Sequence, residues 1–258
     1  MKEGAFALVD CLGWKGIWQE ASEAVLVEKI KGIQSEVEVV VDEINSRHRD
    51  MTAGAINAQI RLISDTVAVS IQREKGSRPE DSLDKAYLVR TAALCVVRIQ
   101  RLLLAHRPQV ALRGCISYGE HLVINNFILG PSVDEAADYY ETPEGALVWL
   151  LPSAGVHINC ADLLLHDIGS LFLEYRLPLK SGHNLKSLVI NPLYLETSSD
   201  QRQSLIGGYF EAMRRTDRLD VWLKGQNTMD FLQEAENLAV SSEKEIESSA
   251  TAGLPSQT

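Results

Sequence analysis

Two aspartates in this 258-residue chain sit where a carboxylate can do chemistry. Asp10 closes an apolar run, Gly4 to Cys11, that reads as a buried strand. Asp65 follows Ser64 at a tight turn between two further strand-like runs, 59–63 and 66–71. A carboxylate at a strand end stays solvated while its backbone is held rigidly. If the two strands are neighbours, both acids reach one edge of a sheet. Two carboxylates, a backbone carbonyl such as that of Cys11 and the oxygens of a triphosphate are hard donors, suited to octahedral shells around Mg²⁺ or Mn²⁺. Paired ions of this kind serve in-line displacement at phosphorus, where they stabilise both the attacking and the leaving oxygen. Spacing alone leaves a competing explanation open, because Asp is also a favoured turn residue.

The elements that must position these acids follow from the pattern of apolar residues. Residues 14–45 read as helix in two pieces broken near Gly32, with Val37, Val41 and Ile44 on one stripe. After the hairpin around Ser64-Asp65 comes a charged loop, 72–84, and then a long apolar helix, 83–106, ended by Pro108. Residues 110–118 and 120–128 read as a second hairpin split at Gly119, and Gly130-Pro131 opens a helix to about Glu141. Strands are expected at 146–151, 171–178 and 188–191, a short helix at 156–170, and closing helices at 200–217 and 229–240. From Ser241 the apolar pattern stops, which predicts a disordered tail over 241–258. Adjacent strands alternating with helices imply an α+β fold: a mostly antiparallel sheet with covering helices on one face.

Composition narrows the function classes. Apolar residues make up 45% and charged residues 23%, as in an ordinary globular protein, and the formal net charge is −10. An acidic surface repels phosphate backbones, which argues against nucleic-acid partners but not against a nucleotide held through cations. The first ten residues carry an apolar run too short for a signal peptide, and no stretch approaches the roughly 18 to 20 apolar residues that span a bilayer. A cytoplasmic location without membrane contact is therefore the expectation. Cys11, Cys95, Cys115 and Cys160 are scattered and form no CxxC pair, so they read as small buried hydrophobes. His121, His157, His166 and His183 lack metal-ligand spacing. Trp14, Trp18, Trp149 and Trp222 read as core or dimer-interface residues.

Four strings, in order, carry a family resemblance. Phe6-Ala-Leu-Val-Asp10-Cys-Leu-Gly13-Trp resembles the opening motif of the class III nucleotide (adenylyl and guanylyl) cyclases, an apolar strand ending in Asp. Ile60-Arg61-Leu-Ile-Ser64-Asp65-Thr-Val-Ala-Val is similar to their second motif, a hairpin with Asp at its tip. Leu112-Arg113-Gly114-Cys-Ile-Ser117-Tyr-Gly119-Glu120 resembles the central strand and glycine turn, and Phe127-Ile-Leu-Gly130-Pro131-Ser-Val-Asp134-Glu-Ala136 the Gly-x-x-Val-Asn-x-Ala segment. The matched motifs span residues 4–140, within a cyclase-like catalytic domain over 1–240 whose part after 145 extends the fold. The wording of the last two strings is closest to a divergent bacterial branch, the pyrimidine (uridylate and cytidylate) cyclases of antiphage signalling systems.

The resemblance implies a ferredoxin-like cyclase domain that converts a nucleoside triphosphate, UTP in this reading, to a 3′,5′-cyclic nucleotide and pyrophosphate with two Mn²⁺ or Mg²⁺ ions per site. It further implies a head-to-tail homodimer with sites between the subunits, and a separate effector protein that senses the cyclic nucleotide. Asp10, Asp65 and the Cys11 carbonyl match the metal-holding positions. Arg61 falls where purine cyclases place a base-reading Lys, and there an Arg could donate to a pyrimidine oxygen or contact phosphate. Phe127 stands at the second base-recognition position, where an aromatic can stack on a base but cannot read it by hydrogen bonds. Asp134 and Asp138 replace the Asn and Arg of the family's transition-state contacts, and an ionised acid donates no hydrogen bond. Arg113 and Lys15 are then the candidate cations. Two alternatives stand beside this reading: an inactive cyclase-like domain used for dimerisation or nucleotide sensing, and a polymerase-like nucleotidyltransferase, which would need a primer groove that the acidic composition disfavours.

Overall fold

The computed structural model describes residues 1–12, 14, 17–19, 21–48, 56–73, 82–125, 127–161, 171–214 and 219–252. Strand β1 (Lys2–Leu12) is buried on both faces, which explains why its sequence is an almost unbroken apolar run rather than an alternating one. Helix α1 (Glu23–His48) leads to the hairpin of β2 (Ile56–Ile63) and β3 (Thr66–Arg73), then α2 (Ser82–Ala105) and β4 (Ala111–Ile124). These elements form a βαββαβ unit with strand order β2-β3-β1-β4, every neighbouring pair antiparallel. That is the ferredoxin-like arrangement expected from the sequence.

The second half builds onto the same sheet. After β5 (Phe127–Leu129) and α3 (Pro131–Tyr139), strand β6 (Val148–Leu150) pairs parallel to β4. Helix α4 (Pro152–Ala161) follows, and the hairpin of β7 (Phe172–Pro178) and β8 (Asn184–Ile190) completes the order β6-β8-β7. Helices α5 (Ser199–Met213) and α6 (Leu219–Ala252) close the described chain. The result is a mixed α+β fold on a mostly antiparallel eight-stranded sheet.

Side-chain alternation assigns the two faces. Ala5, Ala7, Val9 and Cys11 of β1 pack with Ile33, Val37 and Val40 of α1, Ala92 and Val96 of α2, and Ala154 and Ile158 of α4. The other face presents Phe6, Cys115, Trp149 and Val189, and Ala136 of α3 and Phe231 of α6 cover part of it. Helices thus lie on both faces, where one covered face was expected. The cause is α3, whose small residues Ser132 and Ala136 let its backbone carbonyls meet Ser117 Oγ at 2.6 Å and Cys115 Sγ at 3.5 Å.

Several boundaries differ from the sequence reading. Helix α1 runs unbroken through Gly32: a Cβ there would lie 2.8 Å from Leu102 of α2, so the glycine serves close helix packing rather than a break. Strand β4 passes straight through Gly119, which pairs with Gly4, and its hairpin turns instead after Ile124, with Asn125 at φ 51°. Strand β8 begins at Asn184 and α6 begins at Leu219, both earlier than expected. Helix α6 also continues to Ala252, through residues expected to be disordered. Trp14 and Trp149 are buried, whereas Trp222 is exposed. Cys11, Cys95 and Cys115 are buried free thiols, as expected. Lys15, His166 and the side chains of Trp18 and Cys160 lie outside the described residues.

Candidate functional site

The β2–β3 turn brings the two aspartates together. Register places Asp10 opposite Thr66, and one step further the Cys11 N–H donates to the Asp65 carbonyl at 2.7 Å. Ser64 adopts φ 58°, a left-handed conformation that reverses the chain in two residues and leaves Asp65 half-exposed at the strand end. The two carboxylates are close enough that the charge of Asp65 acts on Asp10.

Arg113 joins them from β4. It lies directly opposite Asp10 in the ladder and on the same face, and its Nη2 donates to Asp10 Oδ2 at 2.7 Å. The side chains are 6% and 14% exposed, so the pair is shielded from solvent. Burial still pushes the Asp10 carboxyl above its usual range; Arg113 opposes this, and the charges of Asp65 and Glu141 add to it. The Cys11 thiol, buried beside these acids, is pushed far up and is inert. The carbonyl of Cys11 also accepts from the Trp14 N–H at 3.1 Å, which leaves it a second lone pair.

A second group of residues reaches this cluster without any signal in the sequence. Helix α3 runs over β4 and is followed by Tyr140 and Glu141; the charge of Glu141 acts on Asp10, and that of Arg113 acts on Glu141. The Tyr140 hydroxyl donates to Glu141 Oε1 at 3.0 Å and holds that carboxyl below its usual range. Lys180, in the β7–β8 turn, reaches Glu141 Oε2 at 3.4 Å. Glu141 was legible only as the end of a helix, and Lys180 only as part of a turn. Tertiary packing alone unites them.

The residues expected to meet a base lie further along the sheet. Arg61 pairs across β3 with Ala68, which pairs with Leu8, so it faces the same side as Asp10. Its guanidinium is occupied within the chain: Nε donates to the Asn125 carbonyl at 3.0 Å, Nη1 to the Ile60 carbonyl at 2.7 Å and Nη2 to Gln59 Oε1 at 3.3 Å. Phe127 is 70% exposed at the tip of the β4–β5 hairpin, far along β4 from Arg113. Asp134 is exposed in the first turn of α3, where an acid suits the helix dipole, and Asp138 is exposed one turn on. The structure therefore unites Asp10, Cys11, Asp65 and Arg113. Arg61 and Phe127 belong to a neighbouring region, and Asp134 remains on the outer side of α3.

The donor set is of the right kind for Mg²⁺ or Mn²⁺, being two carboxylates and a carbonyl, but it is sparse. Among the described residues, no group of three or more His, Cys, Asp or Glu side chains could hold a metal ion. One oxygen of Asp10 is already bound to Arg113. Substrate oxygens and water would have to supply most of each coordination shell, as is usual for Mg²⁺ at phosphates.

No helix among the described residues is long and apolar enough to cross a membrane. No family model matches the sequence, and no curated protein matches it. Among solved structures, the chain is similar to the catalytic core of a rhodopsin-guanylyl cyclase with converted specificity, in complex with ATPαS: 12% identity, 73% of this chain and 95% of that one, TM-score 0.43. It is also similar to the adenylate/guanylate cyclase/hydrolase from Silicibacter pomeroyi, at 15% identity over 73% of this chain and 94% of that one, with a TM-score of 0.40. The guanylyl cyclase Cya2 matches at 10% identity over 60% of this chain and 78% of that one, TM-score 0.39.

Proposed function

We propose that this chain is a nucleotide cyclase. The observation that supports it most is the pair of acids at adjoining strand ends, Asp10 and Asp65, fastened by the bond from Cys11 N to Asp65 O and flanked by Arg113. Asp10, Asp65 and the Cys11 carbonyl would hold two Mg²⁺ or Mn²⁺ ions. Bound there, the ions would lower the pKa of the ribose 3′-hydroxyl and stabilise charge on the leaving pyrophosphate. In the reaction the 3′-oxygen loses its proton and bonds to the α-phosphorus, while the bond from that phosphorus to the bridging oxygen breaks.

The chain's own residues orient the reactants. Arg113 fixes Asp10 and stands next to the acids as a cation for the phosphates. Arg61 on the same face is a donor-only group, so it can serve the keto oxygens of a base but not an exocyclic amino group. Together with the absence of a second hydrogen-bonding residue at Phe127, this favours UTP as substrate and cyclic UMP as product. The resemblance adds a homodimer whose two subunits share each site and a separate effector that reads the product in antiphage defence; the pattern of apolar residues adds a cytoplasmic setting.

Incubation with ATP, GTP, CTP and UTP in turn, with Mn²⁺ and mass analysis of the products, tests the reading. Cyclic UMP is the expected product, and Asp65→Ala is expected to reduce it to background. Unchanged product formation in Asp65→Ala would remove the metal assignment. One observation favours the second reading, an inactive cyclase-like domain: Asp134 and Asp138 supply no donor on α3. Triphosphates that raise Tm yet give no product with any base would establish that alternative.

A further inference from the structure

The hairpin formed by β4 and β5 is firmly anchored at its base and lightly held at its tip. At the base, His121 is fully buried between Ser70 Oγ of β3, 2.7 Å from its Nε2, and Ser132 Oγ of α3, 3.0 Å from its Nδ1. Gln72 of β3 donates to the His121 carbonyl at 2.9 Å, reaching over Gly4. Glycine is required at position 4, because a Cβ would come within 2.4 Å of the Ile71 carbonyl and 3.1 Å of the His121 ring. The strand therefore bends over the sheet face towards β3 and β2.

At the tip, the apolar side chains Ile124, Phe127 and Leu129 are exposed and contribute little burial. Ile128 of β5 packs against the core layer that holds Phe6 and Ala68, and beyond it Arg61 fastens the tip, its Nε and Nη2 both donating to the carbonyl oxygen of Asn125. This is a guanidinium edge gripping one keto-type oxygen, the interaction a pyrimidine carbonyl would make with the same group.

We propose that the hairpin tip is a strap. In the resting subunit the Asn125 carbonyl occupies Arg61, and a keto-bearing nucleotide base takes its place, so that substrate entry lifts the tip. This deepens the cyclase reading, on which the identity of the displacing ligand rests; the latch itself does not depend on it.

The test uses the full chain in a Cys160→Ser background, with spin labels at Ile124→Cys on the strap and Asn57→Cys on β2, both exposed positions. Pulsed electron-resonance distances between them are expected to show one narrow resting peak. Arg61→Met is expected to move that peak to longer distance by more than its resting width, with Arg61→Lys intermediate. Losing hydrogen bonds to a charged group corresponds to a shift of about tenfold or more towards the lifted form. UTP with Mn²⁺ should produce the same displacement in the unsubstituted Arg61 protein, and ATP with Mn²⁺ less. An unmoved peak in Arg61→Met with an unchanged circular dichroism spectrum overturns the latch. A UTP that raises Tm but leaves the peak in place overturns the displacement. If no triphosphate raises Tm, the cyclase reading and the proposed ligand fail together, while the Arg61→Met result still decides whether the latch exists.

Discussion

Replacing Arg113 with Met would leave the Asp10 carboxylate without its partner in a site where only 14% of the side chain is exposed. Breaking a buried pair in this way costs about 3–5 kcal/mol. Protonation sets a ceiling on the loss: a carboxyl with an ordinary pKa of 3.8 is neutralised at pH 7 for about 4.4 kcal/mol. Asp10 keeps some contact with water, so the expected loss is about 3 kcal/mol, or roughly 6–12 °C in Tm for a chain of this length.

The pH dependence distinguishes this cause from lost packing. Burial already raises the Asp10 pKa against the pull of Arg113, and removing Arg113 raises it further. A carboxyl whose folded pKa lies above its unfolded value favours the folded state below the unfolded pKa and loses that stability as pH rises through the folded pKa. The deficit of Arg113→Met relative to the parent should therefore be largest near pH 7 and shrink by up to about 1.4 kcal/mol per pH unit as pH falls towards 4. Urea unfolding in EDTA at pH 7, 6, 5 and 4.5 measures it. The double variant Asp10→Asn/Arg113→Met should regain most of the loss, since no charge remains buried. A deficit below about 1 kcal/mol, or one that is the same at pH 7 and 4.5, refutes the reasoning.

Two further expectations concern the frame around the site. Gly114→Ala would place a Cβ 2.1 Å from the Leu8 carbonyl and 2.7 Å from Val9 Cα, so β1 and β4 must separate. A loss at or above the usual ~1–3 kcal/mol of overpacking is expected in urea unfolding, and a Tm within 2 °C of the parent, as roughly expected for a loss below 1 kcal/mol, would contradict it. Burial lowers the His121 pKa below its ordinary 6.5. Its contribution to stability is thus complete above pH 6.5 and is lost as pH falls through the folded value, by up to about 1.4 kcal/mol per pH unit. Thermal unfolding from pH 7.5 to 5 should show this decline in the parent and a shallower one in His121→Gln.

The legible parts were those fixed by local pattern. Apolar runs and turn chemistry marked β1, the Ser64-Asp65 hairpin, α2 and the opening of α3, and with them a mostly antiparallel α+β sheet; the ferredoxin-like unit and the pairing of Asp10 with Asp65 were implied by the family resemblance. Glycine was the main source of error: Gly32 and Gly119 read as breaks, yet one admits a neighbouring helix and the other continues a strand. A missing side chain signals close approach as readily as it signals a turn, and sequence does not say which. The Asp10–Arg113 pairing depends on the register of two strands 103 positions apart. Glu141 and Lys180 meet across 39 positions, and Arg61 meets Asn125 across 64. No local spacing encodes such contacts.

Strand β4 has a further property. Arg113, Cys115, Ser117, Gly119 and His121 all project to one side, because each is an even number of positions from the next. Deleting or inserting a single residue between Arg113 and His121 would invert whichever end lay beyond the change. It would turn either the partner of Asp10 or the anchor of the hairpin into the hydrophobic layer beneath α2. Length changes in this segment should be tolerated only in pairs, so that parity along one strand keeps the acid cluster and the hairpin on a common side.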